Sequence, residues 1–268
     1  MPPIDLASPG PTLFLSPHYD DVVLSCGALV ARLADAGARP AMVTVFGSEI
    51  VHEMVGSFAA WKHSRWGVDD PDEVLAVRRA EDAAAAAVLG CEVRWLGLPD
   101  AIYRGERYTS DTELFGTLKP EELELAAHLA DELPGLPEWR PGIRVFVPLA
   151  AGNHVDHQLT FEVGRALAAR GASVFAYEDV PYAIHSPQGV EARLEAESAT
   201  LGPPVVVPSA AAHARRLAAI DRYTTQVPVI FRFTTDHHAA VTAHAERVGG
   251  PLGPAERYWP LLGPGGTP

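Results

Sequence analysis

The chain has 268 residues, of which 47% are hydrophobic, and its formal net charge at pH 7 is −13. This length and apolar content suffice for a full hydrophobic core, and they fit one sizeable domain or two small ones. A net acidic surface argues against nucleic acid or an anionic membrane as the main partner. Cys26 and Cys91 form neither a disulfide framework nor a Cys-x-x-Cys zinc motif, so we expect two core thiols.

The sequence shows no targeting or membrane-spanning segment. Residues 1–10 lack the basic and apolar regions of a secretory signal, and the longest apolar stretch, residues 83–89, is too short to span a bilayer. We therefore expect a cytoplasmic protein without a membrane span. The oligomeric state is left open by the sequence, which is compatible with a homo-oligomer.

Apolar runs alternate with segments of helical periodicity along the first two thirds of the chain. The runs predict strands at 12–16, 40–46, 93–98, 143–149 and 173–177, and the periodic segments predict helices at 21–36, 72–90, 120–133 and 156–170. Segment 48–72 is less regular and is interpreted as an insertion or lid, and segment 101–117 as a loop. This alternation is typical of a Rossmann-like α/β fold, a mostly parallel sheet with helices on both faces.

The pattern weakens after residue 179. It still favours strands at 205–207 and 229–233, helices at 210–223 and 237–248, and coil from Gly249 onward. No linker or repeat is visible, so we expect a single domain over residues 1–268, with a core at about 12–180 and a C-terminal extension, 181–268, packed on it. No G-x-G-x-x-G follows the first strand, which argues against a dinucleotide-dependent oxidoreductase.

Two short motifs combine imidazoles and carboxylates. Residues 16–21 read Ser-Pro-His-Tyr-Asp-Asp after the first strand, and residues 154–157 read His-Val-Asp-His after the fourth. In an open parallel sheet, ligands bind beyond the carboxyl ends of the strands, so the fold would bring both motifs together. Their side chains are those of a mononuclear metal hydrolase: three protein ligands, an open position and a separate carboxylate to take a proton from water.

These residues resemble a known family. Segment 16–27 resembles the N-terminal signature of the PIG-L/LmbE-like zinc-dependent N-deacetylases, and residues 154–157 resemble their His-x-Asp-His signature. Arg-Arg-Ala-Glu at 78–81 is similar to the family's Arg-x-x-Glu helix. Tyr-Thr-Thr-Gln at 223–226 resembles the family more weakly. The resemblance covers roughly residues 12–180 and implies an N-deacetylase on a Rossmann-like sheet.

Two positions depart from the family pattern. Val22 stands where an acidic residue often follows the Asp-Asp pair, at a position that is not a ligand. Gly152 and Asn153 stand where some sugar deacetylases carry an aromatic residue just before the second motif. The second departure bears on how a sugar is recognised.

The resemblance implies a role for each residue of the two motifs. It implies three metal ligands, which are His18, Asp21 and His157. It also implies Asp20 as general base, His154 as electrophile or general acid, and Asp156 as the residue that orients His154. The residue chemistry agrees, because one of two adjacent carboxylates can ligate while the other takes the proton of water. The expected ion is Zn²⁺, and two imidazoles with one carboxylate also suit Fe²⁺.

Other residues are candidate substrate contacts. Arg78 is an expected anchor for a substrate phosphate or hydroxyl at the periphery, and Asp100 and Tyr103 follow the third strand on the same rim. Trp61 and Trp66 are interpreted as core or lid packing. Residues 236–238 (Asp-His-His) carry metal-ligating groups, but no paired ligand motif lies near them, so no second metal site is predicted.

The sequence thus favours a metal-dependent hydrolase that removes an acetyl group from a small-molecule N-acetylated amino sugar or glycoconjugate. One alternative keeps the metal chemistry but acts as an amidase or deacylase on a natural-product or thiol-conjugate intermediate. Another is a non-catalytic metal-binding or carbohydrate-binding module on the same fold. Asp20 discriminates between the classes, because a binding module needs no free carboxylate beside a complete ligand set.

Overall fold

Seven strands form one sheet in the part of the chain that the computed structural model describes, residues 5–263. They are β1 (Thr12–Ser16), β2 (Ala41–Thr44), β3 (Glu92–Trp95), β4 (Arg144–Pro148), β5 (Ser173–Tyr177), β6 (Val205–Pro208) and β7 (Ala255–Pro260). Their order across the sheet is β3-β2-β1-β4-β5-β7-β6. Strands β1 to β5 pair in parallel, and β7 runs antiparallel to β5 and β6. The predicted mostly parallel sheet is confirmed.

Helices cover both faces of this sheet. They are α1 (Asp21–Asp35), α2 (Ser57–Trp66), α3 (Pro71–Leu89), α4 (Asp111–Leu114), α5 (Glu122–Glu132), α6 (Val155–Ala169), α7 (Tyr182–His185), α8 (Pro187–Ala196), α9 (Ala210–Ile220), α10 (Val227–Ile230) and α11 (His237–Gly249). Successive side chains of a strand point to opposite faces. Phe14 therefore joins the core that contains α1, α3 and α9, whereas Leu13 and Leu15 join the core that contains α5 and α6.

The strand order places a crevice between β1 and β4. From β1 the chain proceeds outward through β2 and β3, and it then returns to the other side of β1 for β4 and β5. Ligands of open α/β sheets bind where the strand order reverses in this way, outside the carboxyl ends of the strands. Helices α1 and α6 begin at Asp21 and Val155, a few residues beyond β1 and β4. Both sequence motifs therefore lie at the same crevice.

The C-terminal tail corrects one prediction. We expected coil from Gly249, but Ala255–Pro260 forms β7 in the interior of the sheet. The adjacent charged residues Glu256 and Arg257 interrupt the apolar pattern from which a buried strand is predicted. Glu256 is nevertheless buried, because its carboxylate accepts 2.9 Å hydrogen bonds from the backbone N–H groups of Ala28 and Leu29. The region beyond residue 180 therefore completes the sheet.

Two further segments differ from expectation or refine it. Residues 229–233, expected as a strand, lie in α10 and the turn after it. All of them except the buried Phe231 line a cavity, and none belongs to a strand of the sheet. The irregular insertion 48–72 contains α2, which ends at Gly67 in the left-handed region (φ 74°). Among the described helices, none combines the length and apolarity needed to cross a bilayer.

Candidate active site

The three expected metal ligands lie together at the β1–β4 crevice. The ligand atoms of His18, Asp21 and His157 all lie within 4.8 Å of one another. One carboxylate oxygen of Asp21, Oδ2, is 3.3 Å from His18 Nδ1, and the other, Oδ1, is 3.3 Å from His157 Nε2. Asp21 thus lies between the two imidazoles, and the fold gathers residues that are far apart in the sequence.

The hydrogen bonding of His157 fits a metal ligand. Its Nδ1 donates to Asp179 Oδ1 at 2.7 Å, since a carboxylate can only accept. Its Nε2 is buried and has no hydrogen-bond partner. Buried polar atoms are nearly always satisfied, so an unpartnered nitrogen aimed at a carboxylate indicates a missing partner. A divalent cation would satisfy it, and the site residues therefore fit a metal ion.

The electrostatics of the crevice favour positive charge. Burial lowers the pKa of His18, but nearby carboxylates, Asp100 foremost, outweigh it and hold the pKa well above the usual value. Burial also lowers the pKa of His157, while Asp21 and Asp179 more than offset it and raise the pKa to about 9. Carboxylates that stabilise two imidazolium ions also stabilise a divalent cation in their place.

The role expected for Asp156 needs a correction. We expected its carboxylate to orient the His154 ring, but its Oδ2 accepts a hydrogen bond from His18 Nε2 at 3.0 Å. Only its backbone N–H contacts the other ring, as a donor to His154 Nδ1 at 3.2 Å. Asp156 therefore fixes the ring of a candidate ligand and leaves Nδ1 of His18 facing Asp21. Such carboxylate–histidine pairs orient ligands in many metal sites.

A buried ion-pair chain behind Asp156 was missed by the sequence reasoning. The Arg104 guanidinium contacts the Asp156 carboxylate and pairs with Glu122 Oε1 at 2.7 Å. Tyr108 donates its hydroxyl hydrogen to the same Glu122. Arg104 belongs to the loop after β3 and Glu122 to α5, so no local motif joins them. In the folded chain Arg104 pairs with both carboxylates, and this pairing holds the Asp156 side chain against His18.

Asp20 has the environment of a general base. It is 5% exposed, and its Oδ1 lies 3.6 Å from Arg78 Nη2. Burial raises its pKa, and the Arg78 guanidinium opposes that rise. Arg78, expected as a substrate anchor, also lines the cavity. Its guanidinium lies 5.0 Å from the ring centres of both Tyr19 and Trp66 and beside Asp20, closer to the metal motifs than the periphery expected for it.

The environment of His154 favours the neutral imidazole. This residue is the N-cap of α6, and its Nδ1 accepts the N–H of Asp156, so Nε2 is the nitrogen left to donate. Burial and the neighbouring His18 hold its pKa well below the usual value. An edge-on contact with Phe115, at 5.3 Å between ring centres, fixes the ring plane. Of the two expected roles, this environment suits a hydrogen-bond donor to an oxyanion rather than a general acid.

A cavity of about 700 Å³ opens onto these groups. Asp100 lines it, as expected, and lies 3.7 Å from His18 Nε2. Tyr103 is not among its lining residues, because its hydroxyl is bound to His63 Nε2 at 2.6 Å beneath α2. The outer wall is lined by Lys62, Trp66, Leu114, Phe115, Tyr182, His185, Val229, Ile230, Arg232 and Phe233.

An aromatic ring reaches the site from a different element than the family pattern suggests. Gly152 replaces the expected aromatic, and a Cβ built at this glycine would lie 2.3 Å from Cγ of Tyr182. The ring of Tyr182, from α7, therefore occupies the space beside Gly152. It stands edge-on to His157, with ring centres 5.6 Å apart.

The two remaining family-like segments contact one another. Glu81 of the Arg-x-x-Glu helix accepts hydrogen bonds from Thr224 Oγ1 (2.9 Å), Thr225 N (2.8 Å) and Thr225 Oγ1 (2.8 Å). The next residue, Asp82, accepts a 2.8 Å bond from the hydroxyl of Tyr223. These contacts anchor residues 223–225 on α3, beside the cavity.

The chain is similar in sequence to known deacetylases. The family model PIG-L: GlcNAc-PI de-N-acetylase matches residues 13–168. The 2'-N-acetylparomamine deacetylases of Niallia circulans and Streptomyces fradiae are 31% and 34% identical over 185 and 178 residues. These matches cover 63% and 65% of this chain and 66% and 58% of the two relatives, so the chain spans less than two thirds of either relative's length.

Solved structures extend the similarity to almost the whole chain. The zinc-inhibited form of teicoplanin deacetylase Orf2 superposes with a TM-score of 0.78 at 27% identity, covering 94% of this chain and 97% of that one. The A40926 pseudoaglycone deacetylase Dbv21 gives 0.76 at 27% identity, covering 94% and 96%. Both carry the same fold, including the C-terminal region.

Proposed function

This chain belongs to the PIG-L (GlcNAc-PI de-N-acetylase) family, and we propose that it is a zinc-dependent hydrolase that removes the acetyl group from an N-acetylated amino sugar or glycoconjugate. The observation that carries the proposal is the position of Asp20. It lies beside the ligand set His18, Asp21 and His157 but does not belong to it. Its carboxylate is paired with Arg78 at 3.6 Å and not with an imidazole of that set, so it can accept a proton from water. A binding module would have no use for such a carboxylate.

We assign the metal to His18 Nδ1, the Asp21 carboxylate and His157 Nε2. A divalent ion held by three such ligands supplies a Lewis acid that polarises an amide carbonyl and lowers the pKa of water. Asp156 and Asp179 keep the two imidazoles in the tautomers that present these nitrogens.

The protein side chains carry the proton transfers. Asp20 accepts a proton as the water oxygen attacks the acetyl carbon, and the Nε2–H of His154 donates a hydrogen bond to the developing oxyanion. Because burial holds the pKa of His154 well below its usual value, we assign to Asp20 the transfer of its proton to the departing nitrogen. When the C–N bond breaks, that proton passes to the amine, and acetate and the free amino sugar are released.

The outer wall of the cavity bears on the substrate class. Its aromatic and aliphatic side chains, Phe115, Val229 and Phe233, suit an apolar scaffold attached to the sugar. Its charged side chains beyond the ligand crevice are Arg232 and Lys62, which is paired with Asp111 at 2.7 Å. Among the described residues this wall has no lining carboxylate to bind the ammonium groups of a polycationic aminoglycoside. We therefore propose an N-acetylhexosamine carried on an apolar or aromatic aglycone as the preferred substrate.

The test is acetate release from a matched pair of substrates. We expect protein loaded with one equivalent of zinc to deacetylate an aryl N-acetylglucosaminide faster than 2'-N-acetylparomamine, and Asp20→Asn protein to be nearly inactive on both. Zinc is kept at one equivalent because a similar deacetylase has a zinc-inhibited form. No acetate from any N-acetylated amino sugar, with zinc bound, would overturn the proposed function. A preference for the aminoglycoside would overturn the substrate class alone.

A further inference from the structure

One wall of the cavity is a loop whose two ends meet. The wall segment, residues 221–238, runs from the end of α9 to the start of α11 and contains α10. Five of its side chains line the cavity, and these are Gln226, Val229, Ile230, Arg232 and Phe233. The position and freedom of this segment therefore decide the shape of the outer cavity.

Three metal-ligating groups, from Asp221, His237 and His238, meet where the two ends of the wall segment come together, a place called the neck below. Oδ1 of Asp221 lies 2.9 Å from His237 Nε2 and 2.8 Å from His238 Nε2. The ligand atoms of all three residues lie within 4.8 Å of one another, the same limit that the active-site set satisfies. The three side chains are 44%, 26% and 43% exposed, so an ion and its water ligand can reach them from solvent.

We propose that Asp221, His237 and His238 form a second site for a divalent transition-metal ion of the Zn²⁺ class. Two imidazole nitrogens and a carboxylate oxygen are a common zinc ligand set, and water can supply a fourth ligand. Tetrahedral bonds of about 2.0 Å place neighbouring donors roughly 3.3 Å apart. The two N–O spacings here, 2.9 and 2.8 Å, are within about 0.5 Å of that value. The site shares no residue with the active site.

The Asp-His-His run at 236–238 does not by itself predict this site, because the carboxylate that completes it is distant along the chain. Asp221 precedes His237 by 16 residues, outside the spacing of any short ligand motif. The neighbouring Asp236 does not serve, because its side chain caps α11 by accepting the N–H of Ala239. The fold of the wall segment supplies the missing ligand.

An ion at the neck would act on the less anchored half of the wall segment. Glu81 and Asp82 tie residues 223–225 to α3. Beyond α10, Phe231 is buried in the core with its ring centre 5.6 Å from that of His237, while the exposed Phe233 has, among the described residues, only the ring of His185, 5.2 Å away, and that of Phe231 as aromatic neighbours. Binding of the ion fixes the separation of the loop ends, which reduces the freedom of the residues between them.

The first test is zinc binding by the protein that already holds one equivalent. We expect calorimetric titration with Zn²⁺ alone to reveal a second equivalent in the wild type, weakened at least about tenfold in Asp221→Asn and in His238→Gln. His128→Gln is the matched control, because His128 is also exposed and paired with an acid, Glu132 at 3.1 Å, on a distant helix. Absence of a second equivalent, or equal binding by all four proteins, would overturn the proposal.

A second measurement keeps this site separate from the proposed active site. His157→Ala should lose the first equivalent and retain the second, whatever reaction the protein catalyses. Hydrogen exchange should slow within residues 227–236 when the second equivalent binds to the wild type, and should not change in His238→Gln. Slowing that is equal in both proteins, or absent in the wild type, would show that the neck does not hold the ion.

Discussion

The 2.7 Å hydrogen bond between His157 Nδ1 and Asp179 Oδ1 decides which nitrogen of His157 is free. With Nδ1 protonated, the lone pair of a neutral His157 is on Nε2, 3.3 Å from Asp21 Oδ1. The other oxygen of Asp179 accepts the N–H of Ala151 at 3.1 Å, which holds the carboxylate in place. A residue just beyond β5 thereby selects the free nitrogen of a candidate ligand on α6.

Asp179→Asn is therefore expected to weaken zinc binding by about 10- to 100-fold, as loss of a residue that orients a metal-bound histidine commonly does. Competition with a chelator measures the affinity, and far-UV circular dichroism checks the fold. Glu132→Gln, a change at an exposed carboxylate paired with His128, is the control. Unchanged affinity in Asp179→Asn would mean that His157 needs no such orientation.

Asp20→Asn is expected to keep one equivalent of zinc while kcat falls by about 10²–10⁴, the usual effect of losing a general base. The residue takes a proton but does not ligate, so metal binding and catalysis should separate. Metal analysis and acetate release on the same sample test this. Full activity in the zinc-loaded variant would refute the assignment.

His154→Ala is expected to retain near-stoichiometric zinc while kcat falls by about 10²–10³, the typical loss for one oxyanion donor. The reason is that Nδ1 of this residue is bound to the backbone and Nε2 faces the cavity. If the His154→Ala protein held no zinc and His157→Ala remained loaded, the two histidines would have exchanged roles.

Arg78→Ala is expected to lower kcat as well as raise KM, because the guanidinium lies 3.6 Å from Asp20. An opposite charge at this distance favours the ionised carboxylate that the base requires, so we expect kcat to fall roughly tenfold or more. Arg78→Lys should recover part of the loss. Steady-state kinetics that show a change in KM alone would return Arg78 to the periphery.

Gly152→Ala is expected to destabilise the fold by about 1–3 kcal/mol, since the new methyl group overlaps the ring of Tyr182. Thermal unfolding measures the change. In a Tyr182→Ala background the same substitution should cost much less, because the overlapping ring is gone. An equal cost in both backgrounds would show that the two residues do not compete for space.

The sequence predicted the parts of the fold whose pattern is local. Strands β1, β2, β4 and β5 are largely apolar runs, whereas the edge strand β3 (Glu92–Trp95) alternates charged and apolar residues. Helices of clear periodicity lie between the strands, and the position of a motif after a strand predicts the edge of the sheet where it lies. The ligand set His18, Asp21 and His157 came from the family resemblance, and the fold places these residues together.

What the sequence did not predict depends on contacts between distant segments. Strand β7 carries Glu256, whose charge is compensated by α1 and by Arg216 at 3.6 Å. No local motif joins Arg104 and Glu122, which the fold buries as an ion pair. Tyr103 was placed on the rim by topology, but the short helix at 101–103 turns its hydroxyl toward His63. In each case a partner from another element decides the outcome.

The central claim is that one divalent ion binds His18, Asp21 and His157. Anomalous diffraction at the zinc edge, from crystals of protein loaded with one equivalent, tests it most directly. We predict a single dominant peak in which these three side chains place their ligand atoms about 2.0–2.2 Å from the ion. A dominant peak elsewhere, with these side chains turned away from it, would contradict the account.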